Sequence, residues 1–287
     1  MKKHMTNKQR SAAAGYLFIL PWIIGLLAFT VYPVVYSVLL SLNTVQIKTS
    51  GIKMTWAGAD YYIQALRQDT EFTTALGNSV FFIMCAMPVI LVFSLSIALL
   101  LNRKYRLRGF FRGVFFLPVI IMSGPSVSQL LTKYTVDFSE NGTEIYAFLQ
   151  TLPAFLQKPS VYILDNLVLI LWFSGVQILI FLSGLQKISP EIYEAASIDG
   201  AGGWEKFWQI TLPYIMPIAL VSAVYTVVEL ANWANNEVNL KIDRHLFEVG
   251  RPYSFSAAMS WLYFGVIAII LLVVFLLFTF LGRRDRT

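Results

Sequence analysis

The residues of this chain that could do chemistry are few. One cysteine, Cys85, and two histidines, His4 and His245, argue against a disulfide framework, a thiolate or imidazole metal site and His- or Cys-based catalysis. Glu229 stands inside an apolar run, in VVELANWANNE, where an ionised group costs about 2.5–3.5 kcal/mol on insertion scales. Asn232, Trp233, Asn235 and Asn236 follow it. Carboxylate and amide groups can hydrogen-bond hydroxyls, an indole can pack on the apolar face of a ring, and a four-residue spacing predicts Glu229 and Trp233 on one helical face. The same residues also fit an interfacial belt, with Trp233 at the headgroups and the amides closing a helix end. Trp172 and Gln177, in LWFSGVQILIF, offer either a polar pathway lining or an interhelical hydrogen bond. His245, beside Lys241, Asp243 and Arg244, reads as solvated or as part of a surface that meets another protein.

The elements that must position these groups are membrane helices. The chain has 287 residues, of which 57% are hydrophobic and only 13% charged, with a mean hydropathy of +0.64, too apolar for an ordinary soluble domain. A hydrocarbon core about 30 Å thick needs roughly 20 apolar residues in helix. Six segments qualify, at about 13–42, 74–101, 110–132, 164–185, 212–234 and 256–281. Pro21, Pro33 and Pro88 within the first two predict kinks or tilt. The first run is too long, and too lacking in a small-residue cleavage site, for a removed signal peptide.

The net charge of +6 does not point to nucleic acid, because the basic residues cluster where apolar segments end, as in KKHMTNKQR, NRKYRLRGFFR and GRRDRT. With the N-terminus inside, the cytoplasmic segments hold 14 Lys and Arg and the outer ones 8. Both termini are therefore expected in the cytoplasm. The expected organisation is a cytoplasmic segment at 1–12, one membrane domain at 13–281 with a cytoplasmic loop at about 186–211, and a tail at 282–287. Asn141-Gly142-Thr143, on the outer side, fits a glycosylation tripeptide or simply a turn.

The cytoplasmic loop is polar, small and glycine-containing: EIYEAASIDGAGGWEKFWQITLP at 191–213. Ser189 as a capping hydroxyl, Pro190 in the first turn and Glu191 after it predict a helix start, and Gly200, Gly202 and Gly203 predict its end. So short a helix is marginal alone and needs a partner. Its alanines would let a partner's surface come close.

The spacing Glu194-Ala195-Ala196, three residues, Gly200, nine residues, Ile210, one residue, Leu212-Pro213 matches the EAA loop signature. With YLFILPWIIGLLAFTVYPVVYSVLLSL, RGFFRGVFFLP and LSGLQKISPEIYEAASIDGAG at corresponding places, the chain resembles the sugar-type inner-membrane permeases of binding-protein-dependent ABC importers. The resemblance implies an all-α fold of six transmembrane helices, the type I permease fold of ABC importers, in a bacterial inner membrane. It implies a coupling helix seated in a cleft of an ABC ATPase dimer, with Glu194 in polar contact, Ala195 and Ala196 packed, Asp199 at the helix end and Gly200 turning the chain back. A second permease subunit and an extracellular sugar-binding protein would complete the importer for a carbohydrate substrate, an oligosaccharide. Glu229, Trp233, Asn232, Gln177 and Trp172 are then the candidates to line the sugar pathway.

No GxxxxGK[ST] loop occurs here, so ATP and Mg are expected on the partner, with no cofactor, metal site or catalytic residue in this chain. Residues 43–71 read as a short connection, without room for the large external domain of the longer maltose permease subunit. The rival in another mechanistic class is an ion-coupled secondary transporter. It would want inverted repeats and a titratable relay, for which only Glu229 qualifies.

Overall fold

The computed structural model describes residues 7–48, 51–102, 109, 113, 144–246 and 253–284. Helix α1 (Asn7–Leu26) continues through a π-helical turn, Leu27–Val31, into α2 (Tyr32–Leu42). An antiparallel hairpin of β1 (Asn43–Lys48) and β2 (Gly51–Trp56) leads to α3 (Asp60–Arg67) and the long α4 (Thr70–Asn102). Further along lie α5 (Glu144–Gln150), α6 (Ala154–Asp165) and α7 (Leu167–Leu185). The loop helices are α8 (Pro190–Ile198) and α9 (Gly203–Lys206), after which a second π-helical turn, Phe207–Thr211, enters α10 (Leu212–Ala231). The chain ends with α11 (Glu237–Leu246) and α12 (Tyr253–Arg284).

Among the described residues, five segments are long and apolar enough to cross a membrane: Gly15–Leu42, Thr70–Asn102, Leu167–Leu185, Gly203–Ala231 and Tyr253–Phe280. They overlap five of the expected spans. The expected span at 110–132, with most of the RGFFRGVFFLP stretch, lies outside the described residues, as does the Asn141 tripeptide.

The two π-helical turns share a cause. Each ends two residues before a proline, Pro33 or Pro213. Proline has no N–H to give to the carbonyl four residues back, and its ring collides with that carbonyl in a regular helix. Inserting one residue widens the turn and moves the ladder out of register: the N–H of Tyr32 bonds to Leu27 O and that of Leu212 to Phe207 O. Thus the distortion expected at Pro33 takes the form of a wide turn. Pro21 and Pro88 lie within α1 and α4.

Two compact units make up the chain: residues 1–72 with 242–263, and 73–241 with 264–287. In the first, the connection at 43–71 is more than a short link. Val45, opposite Met54, and Ile47, opposite Ile52, alternate with polar residues along the hairpin, the period-two pattern of a strand pair. Val45 donates its N–H to Ser254 Oγ at 3.1 Å, while the hydroxyls of Ser41 and Thr44 pair with Tyr62 and Tyr61 at 2.6 and 2.8 Å. His245 overturns its expectation: it is 7% exposed, on a helix and not in a solvated loop. Its Nε2 lies 3.2 Å from Asp69 Oδ2 and its ring meets Phe255 edge-on. Burial of an imidazole requires such a partner.

In the second unit, α7 packs along α10. Ile178, Phe181, Leu182 and Leu185 of α7 join Ile215 of α10 with Ala98 and Leu101 of α4 in one buried cluster. Gly184 makes the approach possible, since a Cβ there would collide with the Ile218 side chain. Small residues at a membrane helix contact let dispersion contacts form without steric cost. Ser94 of α4 adds a hydrogen bond to the Ser174 carbonyl of α7 at 3.2 Å.

Candidate functional site

The loop between α7 and α10 builds its short helix much as its residues dictate. Ser189 holds the N-cap position with extended backbone and Pro190 opens the helix, yet the Ser189 hydroxyl makes no capping hydrogen bond, so the expected side-chain cap is absent. At the other end Gly200 takes φ +83°, a left-handed conformation that side chains resist. Gly200 N–H bonds to Ser197 O at 3.2 Å and Ala201 N–H to Ala196 O at 2.9 Å, the paired closing bonds of a Schellman motif. Asp199 is the C-cap. Glu194, Ala195, Asp199 and Gly200 are exposed and Ala196 is half-buried. Ile198 is 86% exposed at the helix tip, the most exposed of the loop's large apolar groups.

The long helix does not wait for residue 212. Gly202 serves as N-cap, its N–H bonded to Glu205 Oε2 at 2.5 Å, and Gly203 opens a helix that runs through the wide turn to Ala231. The glycines therefore end one helix and begin the next within a few residues. Trp204 and Trp208 stack edge-on at 5.4 Å on that entry.

Near the far end of α10 lie the polar candidates. The expectation that Glu229 and Trp233 share a helical face fails, because α10 ends at Ala231 and Trp233 lies past the C-cap residue Asn232. Glu229 instead accepts a hydrogen bond from Gln177 Nε2 of α7 at 2.9 Å. Gln177 is fully buried and its Nε2 also reaches Thr226 Oγ1 at 3.0 Å. Of the two readings of Gln177, the interhelical hydrogen bond is the one present. Asn232 is exposed and its amide turns back to Val228 O at 2.9 Å, so it closes its own helix. Trp172 is half-buried, and its indole N–H and the Gln177 carbonyl oxygen have no partner among the described residues.

Trp233 goes elsewhere: its ring meets Phe173 edge-on at 5.9 Å and forms a wall of a cleft of about 180 Å³. Asn78, Tyr162, Asn166, Asn235 and Glu237 also line it. Asn78 donates to Glu237 Oε2 at 2.9 Å, and Asn166, the N-cap residue of α7, donates to Tyr162 O at 2.9 Å. Burial, then the Glu237 carboxylate, push the Tyr162 phenol up, which keeps it a neutral hydroxyl. In the cleft lining, buried Asn236 bonds Ser79 Oγ at 2.9 Å and caps Val238 N–H at 3.0 Å. Amides, a carboxylate and aromatic rims can hold a polyhydroxylated ring. Tyr162, Asn166 and Glu237 are among the lining residues that sequence reasoning did not single out. They fall in different helices, and only the four amides and acids crowded between 232 and 237 hinted at a polar pocket.

Residues 65–286 match the family described as binding-protein-dependent transport system inner membrane component. The chain belongs to this family. It is a multi-pass permease of an ABC importer, not an enzyme, and its fold is helical and membrane-spanning. It is 28% identical to the probable ABC transporter permease protein YesP of Bacillus subtilis, over 96% of this chain and 93% of that one. It is 27% identical to the lactose transport system permease protein LacF of Rhizobium radiobacter, over 95% of this chain and 94% of that one. The fold matches a chain of the bacterial alginate ABC transporter solved with an alginate pentasaccharide-bound periplasmic protein, at a TM-score of 0.67, 21% identity and 96% coverage of both chains.

Proposed function

We propose that this permease forms one half of the pathway of an ATP-driven carbohydrate importer, with an oligosaccharide as substrate. Six spans cross the bilayer, the third at 110–132, within a membrane domain at 13–281. The segments 1–12 and 282–287 are cytoplasmic, as is the loop at 186–211, following the Lys and Arg distribution. A separate ABC ATPase dimer, carrying ATP and Mg, receives α8 through Glu194, Ala195, Ala196, Asp199 and Gly200. A second permease subunit closes the pathway and an extracellular binding protein delivers the sugar. Closure of the ATPase then shifts the permease between two states open to opposite sides.

The observation that carries this reading is the exposed α8, closed by the left-handed Gly200, with Ile198 presented at its tip in a chain of this family. Relatives named for lactose and arabino-oligosaccharide transport support a carbohydrate substrate. At the far end of α10, the cleft beside Trp233 is the sugar contact, while Glu229 and Gln177 fix the helix pair behind it. Among the described residues lining that cleft there is a carboxylate and no Lys or Arg, which favours a neutral sugar over an acidic one. The test is uptake of a neutral trisaccharide into right-side-out vesicles of the host, with internal ATP, with and without an ionophore. Uptake that needs ATP and survives the ionophore supports the importer; uptake abolished by the ionophore alone would return the ion-coupled alternative.

A further inference from the structure

Tyr193 of α8 and Thr211, at the end of the wide turn before α10, meet with their hydroxyl oxygens 2.8 Å apart. The Thr211 Oγ1 proton is directed to the Lys206 carbonyl at 3.2 Å, and a carbonyl can only accept. Tyr193 is therefore the donor, and a chain of two bonds runs from the Tyr193 phenol through Thr211 to the Lys206 backbone. It spans the π-helical turn Phe207–Thr211 from one end to the other. Thr211 is 5% exposed, and the Tyr193 ring packs on the buried cluster of α4, α7 and α10, so both bonds are partly shielded from water. A second tie joins the same elements: Lys206 Nζ reaches Ser197 Oγ of α8 at 2.6 Å.

These bonds bridge the two most yielding places in the loop. Gly200, Gly202 and Gly203 lie between α8 and α9, where backbone torsions move at little cost. The π-helical turn lies between α9 and α10, and such a turn has one residue more than a regular ladder can use. Left to themselves, these two links would absorb a displacement of α8 before it reached α10.

We propose that Tyr193 and Thr211 are positioning residues that clamp α8 to the foot of α10, so that a displacement of the short helix is delivered to the long one that ends beside Trp233. This rests on the reading of α8 as the ATPase contact. The clamp acts on coupling and not on ATP hydrolysis itself.

The test uses the whole importer, purified with its ATPase from the host and reconstituted in liposomes, reading sugar taken up per ATP hydrolysed. Tyr193→Phe keeps the ring and removes the donor; Thr211→Val removes the acceptor; Thr211→Ser keeps it. Loss of the Tyr193–Thr211 hydrogen bond predicts uptake per ATP lowered about two- to tenfold in Tyr193→Phe, and at least as much in Thr211→Val, which also loses the bond to the Lys206 carbonyl. The double variant should be no worse than Thr211→Val alone, and Thr211→Ser should match the parent. The ATPase should co-purify with all of them. Unchanged uptake per ATP in Tyr193→Phe overturns the clamp, as does a loss in Thr211→Ser equal to that in Thr211→Val. If no ATPase co-purifies with the parent chain, the importer reading itself falls, separately from the clamp.

Discussion

The two ends of the α7–α10 pair are built on opposite principles. At the Gly200 end, apolar side chains lie outside: Ile198 and Trp204 are 86% and 74% exposed beside a short polar helix. At the Glu229 end, polar side chains lie inside: Gln177 and Thr226 are fully buried and Asn236 nearly so, each hydrogen-bonded to a group on another helix or turn. An apolar group left outside marks a surface awaiting a partner, whereas a polar group brought inside must carry its partner with it. On the proposed reading one end is completed by another chain, whereas the other is locked within this chain.

The largest effects are expected at the Gly200 end. Gly200→Val forces a β-branched residue to φ +83°, a strain of about 1–3 kcal/mol in a helix whose order depends on its partner. ATP-driven uptake should vanish while the protein stays in the membrane, and the ATPase should no longer co-purify. Glu194→Lys should act likewise, and Gly200→Asn, which tolerates the left-handed region, should retain part of the activity. Full transport by both Gly200→Val and Glu194→Lys would erase the contrast between the two ends.

At the locked end the effect should be on stability first. Gln177→Leu removes the donor to Glu229 and Thr226 and should cost about 1–3 kcal/mol, read as a lower thermal midpoint in detergent. Glu229→Leu combined with Gln177→Leu should cost less than the two separately, since the pair then leaves no carboxylate without its donor. Strict additivity would mean that the two do not act as a unit.

A third substitution separates cleft from lock. Trp233→Ala should raise the sugar concentration for half-maximal uptake about two- to tenfold, as loss of an aromatic contact predicts, at matched levels of assembled complex. Asn232→Ala should leave that concentration unchanged, because its amide serves only its own helix end. The reverse ranking would move the sugar contact from the cleft to the membrane face of α10.

The smallest effect is expected in the first span, where Phe18 is 87% exposed and no residue of the Gly15–Leu42 window with its highest hydropathy is buried. Phe18→Ala should change the thermal midpoint by no more than about 0.5 kcal/mol allows. A larger loss in the assembled importer than in the isolated chain would show that a second subunit covers this face.

The sequence alone located the five segments that, among the described residues, are long and apolar enough to cross a membrane, because a bilayer requires each crossing segment to be apolar along its whole length and composition records that directly. It also determined the Pro190 start and the Gly200 stop of α8, because those depend on one residue's backbone freedom. Tertiary structure alone decided the rest. Gly15–Leu42 and Leu167–Leu185 are equally apolar, yet the most apolar window of the first has no buried residue while 56% of the second's is buried, and hydropathy cannot tell lipid from protein. The hairpin at 43–56 has too short a period-two pattern to stand out, and buried His245 owes its place to Asp69, which is far away in sequence. Gln177 and Glu229 are 52 positions apart, so whether each faces a pathway or the other was fixed only when α7 met α10. Trp233 was misplaced because helical spacing holds only while the helix lasts, and α10 ends at Ala231, where the chain turns to build the cleft.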